Sequence, residues 1–275
     1  MFAFHVRPLR LAAAVLVASA GSVAGQIPAS VQVQQAASAA SRVTPSQYFS
    51  ADDALEINTY SIADVTDDGK WIALTQAVRR DGFGNDYRRD GDPTYVRPAL
   101  VRLWSVDARS GQRVAIFPDK KAVRGMRWSP DGSLLGMLVL NNDAYEPAVW
   151  NRATHKIATL KLPAGKYVAE TSDLRWIGNG TVVVALHTSE WKKKAQDTFK
   201  NITAGPVFVQ NSKDPFLSWD DLRRMSARRS VGAIDVKTGQ YRELIPEAQL
   251  TTFNLAEDGS WLTYGEDQTK KTEYE

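Results

Sequence analysis

The residue types that carry most enzyme chemistry are scarce in this 275-residue sequence. It contains no cysteine, which excludes disulfides, thiol nucleophiles and cysteine-bound metals. A nucleophilic serine on a strained turn needs the pattern Gly-x-Ser-x-Gly, and residues 132–136 (GSLLG) do not have that spacing. No glycine-rich loop of the kind that cradles phosphates precedes a helix-forming stretch. We therefore expect no catalytic residue, no metal ligand and no bound cofactor in this chain.

The histidines do not form a recognisable site. His5 lies in the N-terminal segment discussed below, and His155 and His187 are too isolated for a zinc-binding motif. His155 falls in a polar turn, where a solvated side chain is the simpler expectation. His187 ends an apolar run and begins a polar segment, so it is the stronger candidate of the two, although a structural role is simpler there too. The acidic cluster around Asp67 lacks the alternating ligands and distant glutamate of a calcium loop.

Two polar segments are better places to look for binding residues, because loops held by a rigid scaffold often carry them. Residues 79–98 combine Phe83, Tyr87 and Tyr95 with five arginines, a mixture that can grip a peptide or a carboxylate. A loop that only packs against the scaffold is the simpler alternative. Residues 187–229 are basic, and residues 219–224 predict a short helix. The formal net charge of the chain is only +3, so we expect no nucleic acid partner.

The elements that must hold these segments follow a repeat. Four stretches share an apolar approach, a polar turn that contains glycine, and an alternating apolar strand: residues 63–74, 126–138, 174–186 and 253–265. In the second stretch Pro130 presets its φ angle, Asp131 can bond back to the backbone, and Gly132 accepts a positive φ. Each stretch therefore predicts a β-hairpin.

A second strand–turn–strand pattern follows three of these hairpins, at residues 101–117, 148–160 and 231–245. Together the two patterns give four strands per repeat, as in a propeller blade. The turn glycines Gly69, Gly132, Gly180 and Gly259 are 63, 48 and 79 residues apart. A blade needs roughly 40–50 residues, so the excess falls in residues 79–98 and 187–229. The sequence predicts an all-β fold, a partial β-propeller of about four blades with two long insertions; a generic β-sandwich is the alternative.

The last repeat lacks its two outer strands before the sequence ends at Glu275. Because a propeller protects its strand edges only when the ring closes, we expect a truncated ring. The alternative is a four-bladed ring that residues 55–62 complete.

The N-terminus has the features of an export signal. Two arginines precede an uninterrupted apolar run at residues 11–20, which is too short to span a bilayer, and small residues follow it. We predict a signal peptide at 1–25, a flexible lead-in at 26–47 and the partial propeller at 48–275. The predicted location is periplasmic or secreted, with no stable membrane span after cleavage.

The repeat also resembles a known family. Residues 52–55 and 62–74 are similar to the first propeller blade of the prolyl oligopeptidase family of serine peptidases, and residues 128–132 (WSPDG) resemble its repeated blade turn. Residues 205–207 (GPV) and 214–216 (DPF) resemble bacterial dipeptidyl-peptidase-like members. TolB-like periplasmic propellers use the same blade turn.

The resemblance implies a propeller that gates peptide access to a C-terminal α/β-hydrolase domain, where the family carries its catalytic Ser, Asp and His. That domain is missing here, so no catalytic residue can be assigned to this chain. The expected partners are the peptide substrate of the parent enzyme and the missing hydrolase domain. The alternative is a stand-alone TolB-like propeller that acts as a protein-binding module.

Overall fold

Antiparallel strands dominate the structure, a computed structural model that describes residues 49–205, 213, 218–256 and 258–268. The predicted signal peptide and lead-in lie outside the described residues. Everything described below belongs to the compact unit that begins at Ser50. A short helix, α1 (Ala51–Glu56), opens this unit and is capped at its N-terminus by Ser50.

The first four strands form blade I, in which each strand pairs antiparallel with the next: β1 (Asn58–Val65), β2 (Trp71–Val78), β3 (Leu100–Asp107) and β4 (Arg113–Ala115). Blade II repeats this order with β5 (Lys121–Trp128), β6 (Leu134–Asn141), β7 (Ala144–Asn151) and β8 (Lys156–Thr159). A short ladder between β3 and β5 joins the two blades into one eight-stranded sheet.

Blade III has an interrupted first strand. Its strands are β9 (Lys166–Val168), β10 (Arg175–Ile177), β11 (Thr181–Thr188), β12 (Arg228–Asp235) and β13 (Tyr241–Leu255). Both β9 and β10 pair with β11, at its opposite ends, so the irregular residues 169–174 interrupt a single edge. The second half of β13 leaves β12 and pairs with β14 (Leu262–Glu266), which starts a fourth repeat.

The predicted hairpins are confirmed. All four stretches of the first pattern and all three of the second form antiparallel strand pairs. The carboxylate of Asp131 accepts a hydrogen bond from the Ser133 amide, as expected for this turn. In the third hairpin the turn spans residues 178–180, and the positive φ belongs to Gly178.

The hydrophobic core lies between successive blades, as in a propeller. On β6, Met137 packs toward blade I and Leu138 toward blade III, and both are fully buried. On β11, Val184 faces blade II and Val183 faces the start of the fourth repeat. Since neighbouring residues of one strand point to opposite faces, the middle sheets are apolar on both sides. This stacking explains why these strands read as continuous apolar runs.

Hydrogen bonds also cross from blade to blade. The Trp128 amide donates to a carboxylate oxygen of Asp64 at 2.6 Å, and the Trp176 indole donates to the Arg127 carbonyl at 2.9 Å. Because these residues lie on the first strands of blades I, II and III, the first strands lie side by side. The described residues thus show an all-β, propeller-type stack of three four-stranded blades and one further hairpin. The predicted total of about four blades stays a prediction.

The described parts of the two insertions contain helical turns and helices that their polarity did not suggest. Residues 79–98 contain two short 3₁₀ turns, Arg79–Gly82 and Tyr87–Arg89. Strand β11 continues through Thr188 and β12 begins at Arg228, so the second insertion is shorter than the predicted 187–229. It holds helices α2 (Ser189–Thr203) and α3 (Ser218–Ala227), of which α3 contains the predicted short helix. None of the helices in the described ranges is long and apolar enough to cross a membrane.

Candidate functional site

Topology brings both insertions to the same end of the stack. Strands β2, β6 and β11 are the second strands of their blades, so they run in the same direction and finish at one end. The first insertion follows β2 and the second follows β11. A methyl group added to Gly91 would lie 3.4 Å from the ring of Trp219, so the two insertions touch. We call this the insertion end.

A pocket opens at the insertion end, where four parts of the chain meet. The first insertion contributes Pro93, Thr94 and Val96, and the β6–β7 turn contributes Asp143 and Ala144. Blade III contributes Tyr167, Val168 and Glu170, and strand β11 and helix α2 complete the pocket with His187, Trp191 and Lys192. The cavity itself is small, about 30 Å³, which is room for about one water molecule.

His187 forms part of the pocket wall and is only 4% exposed. Its Nδ1 lies 2.9 Å from the carbonyl oxygen of Arg228, and since a carbonyl can only accept, Nδ1 carries the proton. The ring stacks on Trp191, with 3.5 Å between centroids. Nε2 has no hydrogen-bond partner among the described residues. The imidazole at this strand–helix junction is therefore held by a hydrogen bond from Nδ1 and by ring stacking on one face.

Burial lowers the pKa of His187 to about 4, and the nearby positive charge of Arg229 acts in the same direction, while the bond to Arg228 opposes them. The ring is consequently neutral at physiological pH. In the tautomer fixed by Arg228, Nε2 bears a lone pair and no proton. Nε2 is therefore an uncharged hydrogen-bond acceptor.

Glu170 is a half-buried carboxylate in the same wall, on the irregular segment between β9 and β10. Burial raises its pKa, whereas the positive charges of Arg124 and Arg97 lower it in part. It has no ion pair within 4 Å among the described residues. Its charge is therefore balanced at longer range by arginines from blade II and from the first insertion.

Arg124 on β5 lies beside this segment without a carboxylate in direct contact. Its guanidinium packs 4.2 Å from the centre of the Tyr145 ring and donates to the Ala169 carbonyl at 2.9 Å. Its Nε is buried with no hydrogen-bond partner in the described structure. Burial accordingly lowers the Arg124 pKa. The arginine orders residues 169–170 and supplies positive charge behind Glu170.

Lys192 joins helix α2 to the blades at the mouth of the pocket. Its ammonium lies 3.0 Å from a carboxylate oxygen of Asp143 and 4.8 Å from the centre of the Tyr167 ring. The indole of Trp191 donates to the Met225 carbonyl at 2.6 Å, which ties α2 to α3. These contacts fix the helix from which the pocket wall is built.

Helix α2 was missed by the sequence analysis, although the sequence carries a signal for it. Its buried residues share one face at spacings of four, four and three: Trp191, Ala195, Phe199 and Ile202. Thr188 caps its N-terminus by accepting a hydrogen bond from the Trp191 amide at 3.1 Å. The lysines between these positions concealed the apolar face.

The other sequence candidates lie away from the pocket. His155 is exposed in the β7–β8 turn, at the end of the stack opposite the insertion end. Its ring is nearly parallel to that of Trp150, with 5.8 Å between centroids. Asp67 belongs to a cavity between the first strands of blades I, II and III. In the first insertion Tyr95 accepts a hydrogen bond from the Asp86 amide, and Tyr87 is exposed. No cluster of three or more side chains suited to a metal ion occurs within the described part of the chain.

Comparison with known proteins yields structural similarity alone. No family model matches the chain, and neither does any curated protein. Similar solved structures include oligogalacturonate lyase from Vibrio parahaemolyticus, with 14% identity, a TM-score of 0.46 and coverage of 72% of this chain and 44% of the lyase.

Two further structures are similar to a comparable degree. TolB from Acinetobacter baumannii shares 13% identity at a TM-score of 0.39, over 75% of this chain and 37% of TolB. Pyrococcus horikoshii acylaminoacyl peptidase shares 8% identity at a TM-score of 0.42, over 73% of this chain and 26% of the peptidase. The chain thus spans less than half the length of each of these proteins. The fold assignment itself depends on the stacked blades described above.

Proposed function

We propose that this chain is the non-catalytic propeller portion of an exported serine peptidase of the prolyl oligopeptidase family, where it restricts and orients the peptides that reach a hydrolase domain. The observation that carries the proposal is the pocket at the insertion end. Both insertions converge there on a rigid stack, and the pocket offers recognition groups without a nucleophile. A domain that gates a peptidase needs such a place to recognise the peptide, separate from the catalytic groups of the hydrolase domain.

The dimensions and construction of the pocket favour a peptide over a protein surface. Its cavity of about 30 Å³ admits only a small group, and helix α2, the β6–β7 turn and blade III hold its walls in place. A domain that binds folded partners would use a broader surface of roughly 800 Å² on each side. The pocket therefore fits selection of an extended or flexible chain.

Apolar side chains on the first strand support a larger assembly. Tyr60, Ile62 and Val65 on β1 are 54%, 63% and 41% exposed, whereas Val123 and Trp128 on the corresponding strand β5 are almost completely buried. In blade II that burial comes from neighbouring blades. An exposed apolar face of this kind is typical of a surface that another protein segment covers.

The decisive experiment is to isolate the native exported protein with an antibody against this chain, measure its intact mass and treat it with a fluorophosphonate probe for serine hydrolases. We expect a mass larger by at least one domain of roughly 250 residues, and labelling outside this chain. A native mass equal to residues 26–275 without labelling would contradict the proposal and favour a stand-alone TolB-like binding module. Labelling within this chain would overturn its non-catalytic role.

A further inference from the structure

We propose that the free face of blade I binds the β13–β14 hairpin of a second copy of this chain, in a head-to-tail contact that repeats the packing of one blade on the next. The free face is the side of blade I that points away from blade II. This inference goes beyond the proposed function, which does not say what covers that face. The chain itself carries both halves of the contact, one at each end of the stack.

Three cross-strand partners form one row in each blade, where the hairpin of the first two strands meets the third strand. The rows are Trp128–Leu135–Trp150 in blade II and Trp176–Val182–Ile234 in blade III. Both rows pack against the preceding blade, and their residues are at most 8% exposed. The same row in blade I is Val65–Ile72–Val106. Blade I therefore has an apolar row at the position where the other blades are covered.

The row of blade I has no covering blade within the described structure. Val65 is exposed, and neither Ile72 nor Val106 belongs to a core formed with another blade. A neighbouring row, Ile62–Leu74–Trp104, extends the same face, because alternate residues of a strand point to the same side. The free face is thus a continuous apolar surface, as expected of a binding surface for another protein segment.

Blade I itself shows how a repeat covers such a row. Against blade II it places Trp71, whose ring packs on the shared core, and Asp64, whose carboxylate accepts a hydrogen bond from the Trp128 amide at 2.6 Å. The turns also approach closely: a methyl carbon added to Gly132 would lie 3.4 Å from the Cβ of Thr66. The two blades are therefore joined by aromatic packing, a hydrogen bond to a backbone amide and a turn contact.

The β13–β14 hairpin carries equivalents of Trp71, Asp64 and Thr66. Its register is the same, because Leu255 pairs with Leu262 just as Val65 pairs with Ile72. The equivalent residues are Trp261, Asn254 and Ala256. The indole of Trp261 is 58% exposed, and Asn254 is exposed as well. The hairpin thus presents the groups that cover a row, and they are unused in the described structure.

The turn of blade I is open to the corresponding contact. Gly259 in the fourth repeat lies against Ile177 of blade III, as Gly132 lies against Thr66. Between blades II and III, Asn179 accepts a hydrogen bond from the amide of the preceding turn at 2.9 Å. The equivalent Gly69 of blade I has nothing within 4 Å of an added methyl carbon. The turn of blade I therefore lacks a contact that the later turns of the described stack have.

A second copy fits the free face because the matching surface belongs to the same chain. In the head-to-tail pair, the hairpin of one copy lies on blade I of the other, and Trp261 packs on the exposed row. Asn254 accepts a hydrogen bond from the Val65 amide, and Ala256 lies beside Gly69. The contact is heterologous, since it joins two different surfaces of identical chains.

Two lysine substitutions test the two surfaces separately. Ile62→Lys blocks the free face and Trp261→Lys blocks the hairpin, and both side chains are mostly exposed, so the fold should tolerate either change. We expect each variant of the full chain to associate about tenfold more weakly than the unmodified chain, because each would bury a charge. An equimolar mixture should form dimers and nothing larger, since one intact hairpin and one intact face remain. Sedimentation velocity measures all three samples.

Three results would overturn the head-to-tail contact. The unmodified chain could remain monomeric, or the mixture of the two variants could remain monomeric. The Trp261→Lys variant could also associate as strongly as the unmodified chain, which would indicate a symmetric contact between two blade I faces or another partner surface.

Cysteine cross-linking tests the register, because the chain has no cysteine of its own. Gly69→Cys in one copy and Ala256→Cys in a differently tagged copy are mixed and mildly oxidised. We expect the mixed disulfide to exceed each symmetric one by about tenfold, since only the head-to-tail contact brings these two Cβ atoms within disulfide range. A mixed product no more abundant than random pairing allows would contradict the register.

Two controls accompany the cross-linking. Gly111→Cys replaces Gly69→Cys in the first: Gly111 also has a positive φ and open surroundings, but it lies in the turn between β3 and β4, so cross-linking should stay at background. The second combines Thr66→Cys and Gly132→Cys in one chain, where the equivalent contact already exists. That variant should form its disulfide within the chain.

The outcome is separable from the proposed function. A large native protein that is labelled by the fluorophosphonate probe, but whose chain neither associates nor cross-links, would refute the head-to-tail contact alone. A small, unlabelled native protein that forms the mixed disulfide would refute the peptidase role and retain the contact.

Discussion

At the scale of single residues, the buried histidine governs how stability responds to pH. An unfolded chain takes up a proton on His187 near pH 6.5, whereas the folded chain resists protonation until about pH 4. Between these values the unfolded state binds more protons, so stability is fully present above pH 6.5 and falls as the pH falls. The change amounts to about 3 kcal/mol at most.

This predicts that urea unfolding at several pH values will show a loss of stability between pH 6.5 and 4 that is smaller in His187→Asn. Lys192, Asp143 and Glu170 line the same pocket, and the charge of Arg229 acts on the ring. The quantity to measure is therefore the difference in unfolding free energy between the variant and the unmodified protein. His155→Asn should follow the unmodified protein. Parallel pH profiles for all three proteins would show that His187 is not the group responsible.

We expect Glu170 to have the opposite effect on stability, a smaller loss as the pH rises. Its pKa is raised by burial, so the folded state holds its proton to a higher pH than the unfolded state. Above that raised pKa the charged form is penalised only in the folded protein. Glu170→Gln should therefore increase the melting temperature slightly at pH 8, and the gain should vanish at low pH. A melting temperature that falls at pH 8 would indicate that Arg124 and Arg97 stabilise the ionised carboxylate.

At the scale of elements, the turn glycines decide how closely the blades pack. Gly132 has a φ of +65°, and a methyl group there would lie 2.8 Å from the Cγ2 of Thr66 on the preceding blade. Gly132→Ala should cost about 1–3 kcal/mol, since it combines backbone strain with a steric clash. Gly180→Ala is the matched control, because Gly180 has no positive φ and open space around it. Equal thermal shifts in the two variants would contradict this explanation.

The helical insertion has a core of its own, separate from those between the blades. Phe199→Ala removes a buried ring from that core. Such a change lowers the stability of the core by about 3–5 kcal/mol. We expect faster hydrogen exchange in α2 and α3, with exchange in β6 and β11 unchanged. Uniform acceleration in the sheets as well would mean that the insertion and the blades unfold together.

How far the sequence predicts these elements depends on how local their causes are. The hairpins were predicted because a few consecutive residues specify each turn, as Pro130, Asp131 and Gly132 do in the second hairpin. Helix α2 was missed because its apolar face is spread over a stretch rich in lysine. The third turn contains two glycines, and the sequence alone does not say which of them takes the positive φ that Gly178 has.

The candidate site could be predicted only in part, for a related reason. The sequence singled out His187 and the two insertions, and the structure brings all three together at one pocket. Glu170 and Arg124 were not, since their significance arises from burial beside each other on different blades. No local pattern marks residues that meet only after blades II and III have stacked.

At the scale of the whole molecule, the exposed face of β1 should control association. Ile62 is 63% exposed and lies on a strand whose counterpart in blade II is covered. We predict that this chain expressed alone self-associates through that face, and that Ile62→Lys reduces association without a loss of stability beyond about 0.5 kcal/mol. Sedimentation velocity measures the first effect and thermal unfolding the second. An unchanged sedimentation profile would show that another surface is responsible.

The second insertion leaves and re-enters the sheet at neighbouring positions. Leu186 on β11 pairs directly with Ser230 on β12, so the chain returns almost to the point at which it departed. A hairpin turn of a few residues could join the same two strands, and the helices could be lost or acquired without moving a blade. The helical insertion is therefore a separable module, since its removal would leave the register of β11 and β12 unchanged.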